Sequence, residues 1–150
     1  MAEALTVAFD DAEVQAWLSE LGEAANDAVR PAAQAGADVL YREVLMRVPV
    51  GTEGHWFYGT NAKYFFPAGT LRDSIYQVFS QDNSTGQKAT YHVAWNHRKA
   101  PYGFMVEFGT SKARAHPFLR PAYDAKKQVS LDVAKDTFFD KLQERVRGLQ

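Results

Sequence analysis

The sequence predicts an α+β fold: a long N-terminal helix, kinked or split at Pro31, a small antiparallel β-sheet with a hairpin, and a long C-terminal helix. Three observations lead there. Apolar residues recur at helical spacing on either side of Pro31 and again after Pro121, each time marking one face of a helix. Between them, residues 75–80 and 88–96 alternate like strands around the turn sequence Asn83-Ser84-Thr85-Gly86, the pattern of a hairpin. No internal repeat, low-complexity tract or linker interrupts the 150 residues, so residues 1–150 are read as a single domain.

Taken in order, residues 5–9 (LTVAF) read as a strand or an extended arm, being short, apolar and partly β-branched. Asp10 or Asp11 is placed to cap the helix that follows, with Glu13 near its positive end. Val14, Trp17, Leu18, Leu21, Ala25 and Ala28 make its apolar stripe. Pro31 either bends this helix or opens a second one as its first residue. The stretch 32–48 is expected to bury Ala33, Ala37, Leu40, Tyr41, Val44 and Leu45 before Pro49 ends it.

Residues 51–67 change character. Gly51, Gly54, Gly59 and Pro67 argue against a regular element, while Trp56, Phe57, Tyr58, Tyr64, Phe65 and Phe66 load the segment with aromatic rings. The segment reads as an aromatic loop whose rings fold onto the core or form a contact surface for another subunit. One helical turn at 70–75 leads into the hairpin. Residues 102–108 are apolar around a single charge, Glu107, and fit a short helix or an edge strand. A Pro-bounded connection at 116–121 opens the last helix, 121–147, whose stripe is Ala122, Val129, Val133, Phe138 and Leu142, with Leu131 and Phe139 partly off it.

Composition excludes several classes. The net charge of −1 gives no general case for a phosphate-tracking protein. With no cysteine, disulfide staples, thiolate metal sites and cysteine nucleophiles are ruled out. No apolar run approaches a membrane span and the N-terminus lacks the pattern of an export signal, so a soluble protein made in the cytosol is expected, without a membrane partner. Charge is nonetheless asymmetric. Acids dominate before Gly51, and from His97 onward bases dominate. Such halves pair within one fold or between identical subunits.

Chemistry is sparse. His55, His92, His97 and His116 show no metal-ligand spacing, and Ser74, Ser84 and Ser111 lack a nucleophile-elbow setting. No phosphate-cradling glycine loop is present. Glu107 alone is a candidate general base. The competing reading is that it pairs with Arg or Lys, or accepts backbone N–H bonds from the turn at Gly109 and Thr110. No catalytic residue, metal site or cofactor is expected.

The stretch 100–122, APYGFMVEFGTSKARAHPFLRPA, resembles the signature of a family of small phage neck proteins, the tail-completion proteins typified by gene product ten of phage HK-ninety-seven and related in role to the minor tail protein Z. The resemblance lies in Tyr102, in the run Val106-Glu107-Phe108-Gly109-Thr110-Ser111, and in Pro117-Phe118-Leu119-Arg120-Pro121-Ala122. Upstream, Pro49 and the later Gly69-Thr70-Leu71-Arg72-Asp73-Ser74-Ile75 are similar to the family's second landmark. Residues 51–66 depart from it, being longer than the compact connection of many members.

This resemblance implies a non-enzymatic virion component at the head–tail junction. It would work as a ring or in several copies, with connector, head-completion and tail-terminator proteins as partners. A tail terminator or another joining protein is the nearest alternative. Expected interface residues are the six aromatics of 51–67, residues 5–9, and the cations Arg98, Lys99, Lys112 and Arg114. The same cations would line the channel if the protein touches genomic DNA. The motif residues Tyr102, Glu107 to Thr110 and Pro117 to Pro121 are expected to set the fold.

Overall fold

The computed structural model describes residues 11–148, and residues 5–9 lie outside that range. Its elements are α1 (Ala12–Arg47), β1 (His55–Tyr58), β2 (Lys63–Phe66), α2 (Thr70–Asp73), β3 (Ile75–Phe79), β4 (Tyr91–Trp95), α3 (Gly103–Phe108) and α4 (Leu119–Arg147). The architecture is α+β, with two long helices and two separate antiparallel hairpins rather than one sheet.

Helix α1 is neither split nor re-started at Pro31: it runs unbroken for 36 residues with the proline inside. Proline removes one N–H from the i→i−4 ladder. The carbonyl that loses its partner belongs to Asp27, an exposed residue that water can reach. Asp11 takes the N-cap position, but its side chain makes no capping bond and instead accepts from Gln15 Nε2 at 2.7 Å.

Helices α1 and α4 lie antiparallel and close together. Ala24, Ala28, Ala32 and Gly36 recur every fourth residue along α1 and are buried, a row small enough to let two backbones approach. Gly36 marks the tightest point. Its carbonyl accepts from Ser130 Oγ at 2.8 Å. A Cβ there would stand 3.0 Å from the Ser130 carbonyl oxygen and 3.2 Å from Ala134 Cβ. Gly36→Val is therefore expected to force the helices apart, costing about 1–3 kcal/mol through overpacking despite the better helix propensity. A lowered urea midpoint checks it, and an unchanged midpoint would mean the seam is slack.

The core sits at the other end of this pair. Val44, Val48, Leu71, Ile75, Ala100, Phe118 and Ala122 are its buried members, joined by half-buried Tyr41, Val93, Trp95, Tyr102 and Leu119. Phe118 has no exposed surface and meets the Trp95 ring edge-on at 5.9 Å. The β3–β4 hairpin follows the predicted alternation. Ile75, Gln77 and Phe79 pair with Trp95, Val93 and Tyr91 on one face, Tyr76 and Val78 with Ala94 and His92 on the other. The first face turns to α1, where Arg30 lies 4.2 Å above the Phe79 ring.

Several expected core positions prove exposed. Val14, Trp17 and Leu18 are about half open because α1 extends past the end of α4. Ala33, Leu40, Tyr41 and Leu45 are only partly buried. Val129, Leu131 and Phe139 lie on the outer side of α4.

A candidate assembly surface

Residues 102–110 and 117–121, the two parts of the motif, form one structural unit. Helix α3 carries Glu107 inward, where the residue is 6% exposed. Its Oε2 accepts the backbone N–H groups of Phe118 (2.7 Å) and Leu119 (3.1 Å), and its Oε1 accepts that of Arg120 (3.1 Å). A carboxylate thus caps the N-terminus of α4, whose unpaired N–H groups and positive dipole end suit an anion. Of the two structural roles open to Glu107, backbone acceptance holds, but the donors belong to α4 rather than to the turn at Gly109. Both carboxylate oxygens are engaged in that cap.

The eleven-residue reach from Glu107 to Phe118 requires a reversal, and Gly109 supplies it. Its φ of 75° and ψ of 177° fall in a region that essentially only glycine occupies. Thr110 then closes the loop. Its N–H donates to the Ala113 carbonyl at 2.8 Å, and its Oγ1 accepts from the N–H groups of Lys112 and Ala113. His116 N–H returns to the Val106 carbonyl at 2.8 Å. The loop so held presents Lys112 and Arg114 to solvent. Arg98 and Lys99 are exposed after β4, where the Asn96 side chain fixes the turn. Pro117 is exposed, and Pro121 lies in the first turn of α4, which begins two residues earlier than predicted.

The segment 51–67 is ordered as the β1–β2 hairpin, a correction to its reading as an irregular loop. Its register pairs His55 with Phe66, Trp56 with Phe65, Phe57 with Tyr64 and Tyr58 with Lys63. Because successive side chains alternate between faces, His55, Phe57, Tyr64 and Phe66 share one side. His55 and Phe66 pack on the Tyr102 ring at 4.5 and 5.1 Å. Trp56 and Phe65 meet in a tilted contact at 5.2 Å on the opposite face, with Lys63 Nζ 5.3 Å from the Tyr58 ring. Phe57 and Phe66 are partly covered, while Trp56, Tyr58, Tyr64 and Phe65 stay open.

Tyr102 is the hinge of that contact. Burial pushes its phenol above the usual value of 10.0, with the Leu71 backbone and the Thr70 side chain pulling the other way. A raised folded-state value favours the neutral ring, so the stability it contributes is complete below about pH 10 and is lost as pH rises through the folded value. Tyr102→Phe is expected to flatten this alkaline loss. Urea midpoints at rising pH check it, and an equally steep fall in both proteins would refute it.

Sequence reasoning missed a second aromatic patch. Phe104, Met105 and Phe108 are 60, 43 and 51% exposed, with the two phenylalanine rings 4.7 Å apart. Phe108 is thus an open surface residue and not a core anchor. The i, i+4 spacing of Phe104 and Phe108 was the available signal, since it puts both rings on one helical face, away from Glu107. Arg120 lies 5.5 Å from the Phe108 ring. Beside it a groove of about 570 Å³ runs between α1, β4 and α4, floored by Leu40, Val93, Trp95 and Leu119 and rimmed by Phe108 and Tyr123.

The acidic and basic halves hardly pair internally. Among the described residues one ion pair joins them, Arg145 to Asp27 at 3.8 Å, with both side chains exposed. No group of metal-ligating side chains occurs among the described residues, and no helix among them is long and apolar enough to cross a membrane. No family model, curated protein or solved structure matches the chain.

Proposed function

We propose that this chain is a structural protein of the head–tail junction of a tailed bacteriophage, a neck or tail-completion protein that acts by assembly and not by catalysis. The observation that carries the assembly half of this reading is the amount of open surface. The chain exposes 11,260 Å², whereas a compact monomer of this mass exposes about 7,700 Å². That open surface is of the order that obligate interfaces bury, about 2,000–5,000 Å² over both partners. Much of it is aromatic: Trp56, Tyr58, Phe65, Phe104, Phe108 and Tyr123 are each more than half open, unusual for a solitary domain and typical of interface anchors.

The place in the virion rests on the resemblance of residues 100–122. The Glu107 cap supports it by giving the two distant parts of that signature a common physical purpose. The decisive test adds the purified protein to a lysate of the parent phage deleted for this gene, where heads and tails accumulate unjoined. Recovery of joined, infectious particles is expected, and no recovery with a well-folded protein would sink the reading.

A second reading, contact with DNA in the channel, is favoured by the exposed Lys112 and Arg114 at the tip of a rigid loop. It requires duplex binding that weakens steeply with salt and is lost when Lys112 and Arg114 become alanine.

A further inference from the structure

We propose that copies of this chain join head to tail, the N-terminal overhang of α1 from one copy lying in the groove beside Phe108 and Tyr123 of the next. The inference rests on the assembly reading above and names the two surfaces that carry it.

The donor is a helix face that finds no apolar partner among the described residues. Val14, Trp17 and Leu18 continue the stripe that packs on α4 lower down, but α4 ends beside Leu21, where Leu142 and Val146 meet it. From Ala12 to Leu21 the overhang is about 13 Å long, and Val14, Trp17 and Leu18 are 46, 51 and 54% exposed. Their spacing of i, i+3 and i+4 is that of an amphipathic helix that anchors in a groove. Around them stand Asp11, Glu13, Glu20 and Glu23, and no basic residue precedes Arg30. Two such overhangs repel each other, so symmetric pairing of overhang with overhang is disfavoured. The acceptor must be apolar with a cationic rim.

The groove between α1, β4 and α4 has that character. Its floor is apolar, and the exposed rings at its edge carry cations: Arg120 over Phe108 and Lys127 Nζ 6.0 Å from the Tyr123 ring. The nearby acids are accounted for. Glu107 is bound to the α4 backbone, Glu43 holds Arg47 at 2.6 Å, and Asp124 opens onto the neighbouring groove that Arg47 also lines. Trp17 and Leu40 are separated by about 35 Å along α1, so donor and acceptor occupy opposite ends of one subunit. A contact between unlike surfaces at opposite ends propagates, and it closes as a ring when the rotation permits.

The test uses the full chain and two variants, Trp17→Arg for the donor and Tyr123→Arg for the acceptor, with sedimentation velocity as the readout and circular dichroism confirming the fold. The wild type is expected to form a discrete multimer and each variant alone to be monomeric. Mixing the two is expected to give one-to-one dimers and nothing larger, because only one productive surface of each kind remains. Should Trp17→Arg fail to fold, Glu13→Arg with Glu20→Arg, which leaves the apolar face intact, tests the same contact. A wild type that is monomeric at 100 µM, as when residues 1–10 of the same chain cover the stripe, overturns the inference. So does a multimer that ignores Tyr123→Arg, or a mixture that stays monomeric. A multimer that behaves as expected but fails to join heads to tails leaves this interface standing and removes only the virion assignment.

Discussion

Replacing Glu107 with alanine is expected to destabilise the protein by about 3–4 kcal/mol, since three N–H donors at the start of α4, that of Phe118 buried, lose a charged acceptor. For a domain of this size the melting temperature should fall by roughly 8–12 °C. Glutamine is the informative intermediate. Its single carbonyl oxygen still accepts at the cap, but its amide group presents hydrogens to the remaining N–H. About half of the loss should therefore be recovered. The order Glu, Gln, Ala in thermal or urea unfolding identifies a cap. If Gln matched the wild type in stability while a hydrolytic activity disappeared, Glu107 would be catalytic and the structural assignment would fail. The geometry argues against that outcome, because Oε1 and Oε2 already hold Arg120, Leu119 and Phe118.

The elements legible in the sequence were those whose periodicity is enforced by packing. The alternation of Ile75, Gln77 and Phe79 survives because one face of that hairpin lies on α1, and Ala28, Ala37 and Val44 of the expected stripe are buried by α4 and the core, although Ala24, Ala32 and Gly36 and not Ala25 and Ala33 complete the buried row. Pro31 left two outcomes open, a bend in one long helix or the start of a second, and α1 stays one helix because the carbonyl that Pro31 deprives belongs to exposed Asp27 and the packing seam continues on both sides. Gly51, Gly54 and Gly59 do lie outside β1 and β2, but they flank and turn a hairpin instead of preventing one, and at Gly54 the Phe65 ring crosses the backbone: a Cβ there would lie 2.3 Å from that ring. Glycine in a strand context marks close approach as readily as disorder.

The candidate site was legible in its residues but not in their orientation. The sequence left Glu107 open between two roles and gave Phe108 no side, and the structure buries the charge and exposes the ring: Glu107 is 6% exposed and Phe108 51%. The three N–H groups that draw the carboxylate inward belong to residues 118–120, and a pairing across eleven positions leaves no periodic trace. The same blindness explains Val14, Trp17 and Leu18. Their spacing predicts an apolar face, but whether that face meets the same chain or another copy depends on where α4 stops.

Gly109→Ala is expected to cost about 3 kcal/mol, and it separates the framework of the motif from the surface that it displays. The backbone angles at Gly109 penalise any side chain by about 1–3 kcal/mol. The added Cβ would also fall 2.7 Å from the Ala115 nitrogen and 3.1 Å from the Ala113 carbonyl oxygen. Those are backbone atoms of the loop itself, so relief requires the Thr110 turn to open. Opening it releases the strap between Val106 and His116 and loosens the Glu107 cap from behind. Hydrogen exchange should therefore quicken at Ala113, His116 and Phe118 together, with a matching fall in the urea midpoint. Lys112→Ala and Arg114→Ala touch none of these bonds and should change stability by no more than about 0.5 kcal/mol. If these two reduce joining of heads to tails while Gly109→Ala reduces both joining and stability, the loop is a rigid mount for two exposed cations. Were Gly109→Ala as stable as the wild type, the positive φ would be incidental and the loop would owe its shape to Thr110 alone.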